Sequence, residues 1–147
     1  MSDLQTLLAD PGRAGVYQAG PDTRELEAAA KAAGLAVWRI DIGQVHDKQE
    51  FTGLVAQALA FPEWFGGNWD AFEDCLTDMS WREAPGYMLL LEHSKHFGAG
   101  HRHEFDTAIE VLDGAATWWQ EQGKPFWVLV SGPEGWEAGL PPLVVAP

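Results

Sequence analysis

The segment YMLLL, from Tyr87 to Leu91, is apolar at every position. A strand with one wet face alternates polar and apolar residues at period two, whereas an unbroken apolar run reads as a strand covered on both faces, as in buried parallel sheets. Phe126 to Val130, FWVLV, has the same character, and Leu35 to Ile40, LAVWRI, and the shorter Gly15 to Ala19, GVYQA, complete the candidate strands. Apolar residues recur at helical period between them: Leu26, Ala29, Ala30 and Ala33, then Phe51, Leu54, Val55, Ala58 and Leu59, then Phe105, Ala108, Ile109, Leu112, Ala116 and Trp119. Strands separated by helices need crossover connections, and crossovers make strands parallel. The expected fold class is α/β: a single three-layer domain, with a mostly parallel sheet of about four strands and helices on both faces. Periodicity leaves the strand order open.

Local signals punctuate these elements. Asp22 with Glu25, and Asp47 with Glu50, have the three-residue spacing of a capping box. Gly34 and Gly123 sit where a helix ends in a left-handed residue. Residues 1–14 read as a short helix or arm ending at Pro11-Gly12, and residues 92–103 as a polar, histidine-rich loop. The tail from Ser131 carries Gly132, Pro133, Gly135, Gly139, Pro141 and Pro142, so it is expected to be irregular and is a candidate for mobility.

Residues 61–81, FPEWFGGNWDAFEDCLTDMSW, concentrate the functional signals. Phe61-Pro62 should end the preceding helix, because proline disfavours helical geometry in the residue before it. Trp64 and Phe65 fall on a loop, Gly66-Gly67 allows a turn, and Asn68 is a good N-cap for a helix starting at Trp69. Phe72, Cys75, Leu76 and Met79 define an apolar stripe on that helix. Asp70, Asp74, Thr77 and Asp78 occupy the other side, with the two carboxylates of Asp70 and Asp74 one turn apart near the positive end of the helix dipole. Acidic residues in a first turn are ordinary capping chemistry, but large aromatics beside a double glycine are costly to leave in water unless a partner covers them.

The composition narrows the function classes. The chain has 147 residues, 9 Lys and Arg against 22 Asp and Glu, and a net charge of −13. Such a field opposes direct binding to nucleic acid or an anionic membrane and favours a cationic partner. Cys75 is the single cysteine, which forbids an internal disulfide and fits a reducing compartment, and its place on the apolar stripe makes it a core thiol. The N-terminal MSDLQTLLAD lacks the pattern of a signal peptide and no apolar stretch is long enough for a membrane span, so a soluble, cytoplasmic protein is expected.

From about Leu35 to Ser131 the chain resembles the barstar family, intracellular inhibitors of the secreted bacterial ribonuclease barnase, and within it the longer barstar-related proteins. The resemblance is carried by LAVWRI, a helix ending at Leu59-Ala60, PEWFGGNWDAFEDCLTDMSW, YMLLLE, a long helix closed by Gly123, and FWVLV. It implies a barstar-like core over 35–131, an N-terminal extension over 1–34 that adds a strand and a helix, and an irregular tail over 132–147. It also implies a partner-binding surface of Trp64, Gly66, Asn68, Trp69, Asp70, Asp74 and Thr77, with Asp74 matching the aspartate that enters the nuclease's cationic active site. The partner implied is a basic ribonuclease or a related secreted nuclease or toxin, bound by an inhibitor that is monomeric when free, has no catalytic residues and uses no cofactor or metal. Glu73 stands where barstar has a tryptophan, Asp78 where it has a glycine, and Met79 where it has a second tryptophan. The family's acidic contact near the end of the long helix falls on Trp118, with Glu121 close by. These departures count against barnase itself more than against a related nuclease.

Two other functions compete. An acidic adaptor or immunity protein would use the same helix on a different basic partner. A metal-dependent hydrolase would draw on His93, His96, His101 and His103 with nearby carboxylates, but no HExxH, P-loop or nucleophile elbow accompanies them.

Overall fold

In the computed structural model, which describes residues 3–62 and 67–143, the two all-apolar runs lie at the centre of one sheet. They form β3 (Tyr87–Glu92) and β4 (Phe126–Ser131), buried along their whole length except at Glu92. β1 (Val16–Ala19) and β2 (Ala36–Asp41) carry the polar residues Gln18, Arg39 and Asp41 and form the edges. The order is β1-β4-β3-β2 and every pairing is parallel. Leu89 lies between Trp38 and Val128, and Val128 between Leu89 and Val16, so the register is continuous across the sheet.

Successive residues of the central strands point to opposite faces, and each face has its own roof. Met88, Leu90, Trp127 and Leu129 pack with Leu7, Leu8 and Ala30 from α1 (Asp3–Leu8) and α2 (Arg24–Ala32). Tyr87, Leu89, Leu91, Phe126, Val128 and Val130 meet the larger cluster from α3 (Lys48–Ala58), α4 (Trp69–Leu76), α5 (Lys95–Gly100) and α6 (Arg102–Glu121). Phe51, Phe72, Phe97, Phe105 and Trp119 are the large side chains of that roof. The N-terminal residues therefore supply an edge strand and the whole second layer. One buried hydrogen bond ties that layer down: Trp127 Nε1 donates to the Leu8 carbonyl at 2.8 Å. Among the described residues no helix is long and apolar enough to cross a membrane.

Several local expectations need correction. Helix α2 is capped at Thr23, not Asp22. The Thr23 hydroxyl is taken by Glu92, to which it donates at 3.0 Å, and by Arg39, from which it accepts at 2.9 Å, while Asp22 turns to the backbone and guanidinium of Arg24. Helix α3 does begin with Asp47 accepting from the Glu50 amide at 2.9 Å, although Glu50 reaches back to the His46 amide. It stops before proline is reached: Ala60 takes a left-handed conformation (φ +56°), and the amides of Ala60 and Phe61 return to Gln57 and Ala56. The supposed loop at 92–103 contains α5, because Phe97 stacks on Phe51 with ring centroids 5.4 Å apart and pulls an otherwise poor helical sequence into the core.

The tail is irregular, but its described part is fastened and not loose. Gln18 on β1 donates its amide to Pro141 and accepts at its carbonyl from Leu143, and its side chain bonds the backbone of Trp136 and Ala138. The tail thereby covers the open edge of the sheet, which would otherwise invite pairing with another chain.

If the second layer is integral to the fold, Leu8→Ala should destabilise the protein by about 2–5 kcal/mol. A helix lying loosely on the surface would show a change of about 0.5 kcal/mol or less, and equilibrium urea unfolding separates the two.

Candidate partner-binding site

Helix α4 is positioned from both ends. At its start Gly67 has φ +79°, a conformation that favours glycine, and the Asn68 side chain accepts from the Ala71 amide at 2.7 Å. At its finish the Leu76 carbonyl, which has no partner within the helix, accepts from Trp119 Nε1 of α6 at 2.8 Å. Phe72, Cys75 and Leu76 are fully buried between these anchors. The helix ends at Leu76, so Met79 reaches the core by another route: it lies beyond the helix with φ +52° and is still completely buried.

The opposite face is acidic and open. Asp70, Glu73, Asp74 and Asp78 are all exposed. Among the described residues the ion pairs involve Asp22, Glu27, Asp41, Glu50, Glu92 and Asp106, and none involves an α4-face carboxylate. An unneutralised row of carboxylates on a helix fixed at both ends is a pre-arranged receptor for cations.

Aromatic rings surround its N-terminal end. Trp69 is half-buried, edge-on to Phe72 at 5.7 Å and tilted against Phe51 at 6.5 Å, so it is tied to the core as well as turned to the surface. Phe61 lies between Phe72 and Trp81, and Trp81 Nε1 donates to the Leu59 carbonyl at 2.9 Å. Trp64 and Gly66 lie outside the described residues. Thr77 caps the C-terminal end and its hydroxyl donates back to the Glu73 carbonyl at 2.9 Å, which leaves its methyl group and lone pairs for outside contacts. Trp118 is more than one-third exposed and packs edge-on against Trp119, the residue that clamps α4.

Cys75 is buried beneath this face. Burial pushes its thiol from 9.0 to about 11, and the charges of Asp74 and Asp78 add to the shift. It is a poor nucleophile at neutral pH.

The histidines divide into separate groups. His93 pairs with Asp41 at 3.0 Å, and the Gly43 amide together with His93 holds the Asp41 carboxyl below its usual range. His96 and His101 meet His46, with ring centroids 5.0 to 5.9 Å apart. His46, far away in sequence, could not have been grouped with them from spacing. His103 is exposed on the first turn of α6. Among the described residues no group of three or more His, Cys, Asp or Glu side chains is arranged to hold a metal ion.

The family model described as Barstar (barnase inhibitor) matches residues 35–131. The chain belongs to the barstar family. No curated protein matched it. The matched barstar segment runs from β2 through β4 and includes α4 and its clamp on α6, whereas α1, β1, α2 and the tail lie outside it.

On this barstar-family helix, neighbouring residues should separate cleanly by stability. Asp74→Ala should change it by about 0.5 kcal/mol or less, Asn68→Ala should cost about 1 kcal/mol through loss of the cap, and Leu76→Ala about 2–5 kcal/mol. Denaturant titrations of the three variants check the order.

Because the Cys75 thiol titrates higher in the folded chain than its ordinary 9.0, the unfolded chain releases that proton first as pH rises. The stabilisation is complete below pH 9 and is lost as pH climbs toward about 11. Tyr87, also raised mainly by burial, adds a further loss at alkaline pH. Unfolding free energies measured across this range should fall with pH, and less steeply in Cys75→Ala.

Proposed function

We propose that this chain is a proteinaceous inhibitor that binds a basic bacterial ribonuclease, or a related secreted nuclease or toxin, and blocks its cationic active site. Membership of an inhibitor family supports the reading. The observation that carries it is the row of exposed carboxylates on α4, in no ion pair among the described residues, on a helix fixed by Asn68 and by the Trp119 clamp.

In the proposed complex Trp64, Gly66, Asn68, Trp69, Asp70, Asp74 and Thr77 form the contact surface. Asp74 enters the active site where the nuclease would hold a phosphate of RNA, and Asp70, one turn earlier, supports it. A ribonuclease site is lined by cations because its substrate is a polyanion, so a carboxylate on a rigid element competes for the same groups. Rings around the aspartates exclude water and strengthen the pairing. The inhibitor acts in the cytoplasm as a monomer and performs no chemistry of its own. Residues 35–131 form the inhibitory core, with 1–34 and 132–147 as additions to the same domain.

The test is binding and inhibition against nucleases encoded near this chain or captured from culture extracts. Asp74→Ala should weaken inhibition by at least about 2 kcal/mol, since it leaves nuclease cations desolvated and unmatched, and Asp70→Ala should do so somewhat less. Inhibition unchanged by Asp74→Ala places the contact elsewhere. Association should slow as salt rises from about 0.05 to 0.5 M, because the Debye length contracts from roughly 14 to 4 Å. Stopped-flow rates that ignore salt would remove the −13 charge from the encounter.

A further inference from the structure

A groove of about 1400 Å³ lies between α1, α2, the end of β1 and the C-terminal tail. Its lining falls within residues 3–32 and 132–143, outside the segment matched to the barstar family, so it is built by the two additions alone. It lies at the β1 edge of the sheet: Leu26 and Leu143 pack with the cluster on the face away from α4, and Trp136 and Leu140 with the cluster that α4 joins, while no residue of α4 lines it.

The chemistry of the groove is uneven. Its floor includes the half-buried Leu26, Trp136, Leu140 and Leu143. Its rim carries Asp3, Asp22, Glu25, Glu134 and Glu137, and among the described residues no Lys, Arg or His lines it, although the Arg102 guanidinium lies close to Gly139 and is paired with Asp106. Asp22 is occupied by Arg24, whose guanidinium holds its carboxyl at about 2. The other four are exposed, and none takes part in an ion pair among the described residues.

From this we propose that the groove is a second docking site, taking a short cationic peptide segment of a protein partner, with apolar side chains on the floor and Lys or Arg side chains at the rim. Charge complementarity selects a basic occupant. Size selects a peptide, because small-molecule sites run to about 300–1,000 Å³. The segment docks through side chains and not by adding a strand, since the tail already takes the amide and carbonyl of Gln18 on the sheet edge.

The test uses a fluorescein-labelled peptide of lysine and leucine, read by anisotropy and by backbone amide shifts in the full chain. Amide shifts should cluster at residues 18–32 and 132–143. Glu25→Lys/Glu137→Lys, both exposed positions, should weaken binding at least about tenfold. Glu110→Lys/Asp113→Lys on α6 alters net charge equally and should have little effect, as should Asp70→Ala/Asp74→Ala. A peptide of lysine and serine should bind much more weakly than the lysine–leucine peptide. Equal weakening by the two charge reversals would reduce the effect to the general field and overturn the proposal. Loss of binding on changing Asp70 and Asp74 would place the peptide on α4. Equal binding of the lysine–serine peptide, or full displacement by spermine, would make the groove a sink for cations and no peptide site. Amide shifts outside the groove would overturn the proposal even if a variant failed to fold.

Discussion

Two strands, β3 and β4, are apolar on both faces, and that single constraint organises the molecule. Ten sheet positions, the five from Tyr87 to Leu91 and the five from Phe126 to Val130, are buried, so water has to be excluded twice, once on each side. Burying apolar surface is the main favourable term in folding, at roughly 25 cal/mol per Å², and a sheet of this kind left open on one side would forfeit much of it. The barstar-family segment covers one side with four helices. The N-terminal addition covers the other with two and inserts β1 beside β4.

The acidic helix depends on the same packing. α4 has only eight residues, too few for an isolated helix to hold its shape in water. It persists because Phe72, Cys75 and Leu76 are locked into the roof and because Trp119 reaches from α6 to its last carbonyl. The carboxylates on the outer face therefore stand on a support whose rigidity comes from the core below them. Ordering is completed during folding, which leaves less to be ordered when a partner arrives.

The charges are sorted in a matching way. Arg39 is held by Glu27 and Glu92, Arg24 by Asp22, Lys31 by Glu27 and Arg102 by Asp106. Few as the basic residues are, four of them are paired away from α4, and among the described residues none forms an ion pair with its acidic face. At the groove rim Arg24 takes Asp22, and among the described residues Asp3, Glu25, Glu134 and Glu137 are in no ion pair. Two acidic surfaces, one inside the family segment and one outside it, favour the approach of cationic groups over anionic ones.

The fold class, the strands, the start of α4 and the separation of its buried and exposed faces were legible in the order of residues alone. These rest on period two, period 3.6 and side-chain capping, all of which act over a few residues and can be read locally. The strand order, the helical state of Lys95–Gly100, the meeting of His46 with His96 and His101, the fastening of the tail to Gln18 and the Trp119 clamp were decided only in three dimensions. Each depends on partners far apart in the chain: 43 positions separate Leu76 from Trp119, and 120 separate Gln18 from Ala138. Two local departures from the pattern have the same origin. Thr23 displaced Asp22 as the cap of α2 while its own hydroxyl served Glu92 and Arg39, and α5 formed because Phe97 found Phe51, which no rule of local spacing contains.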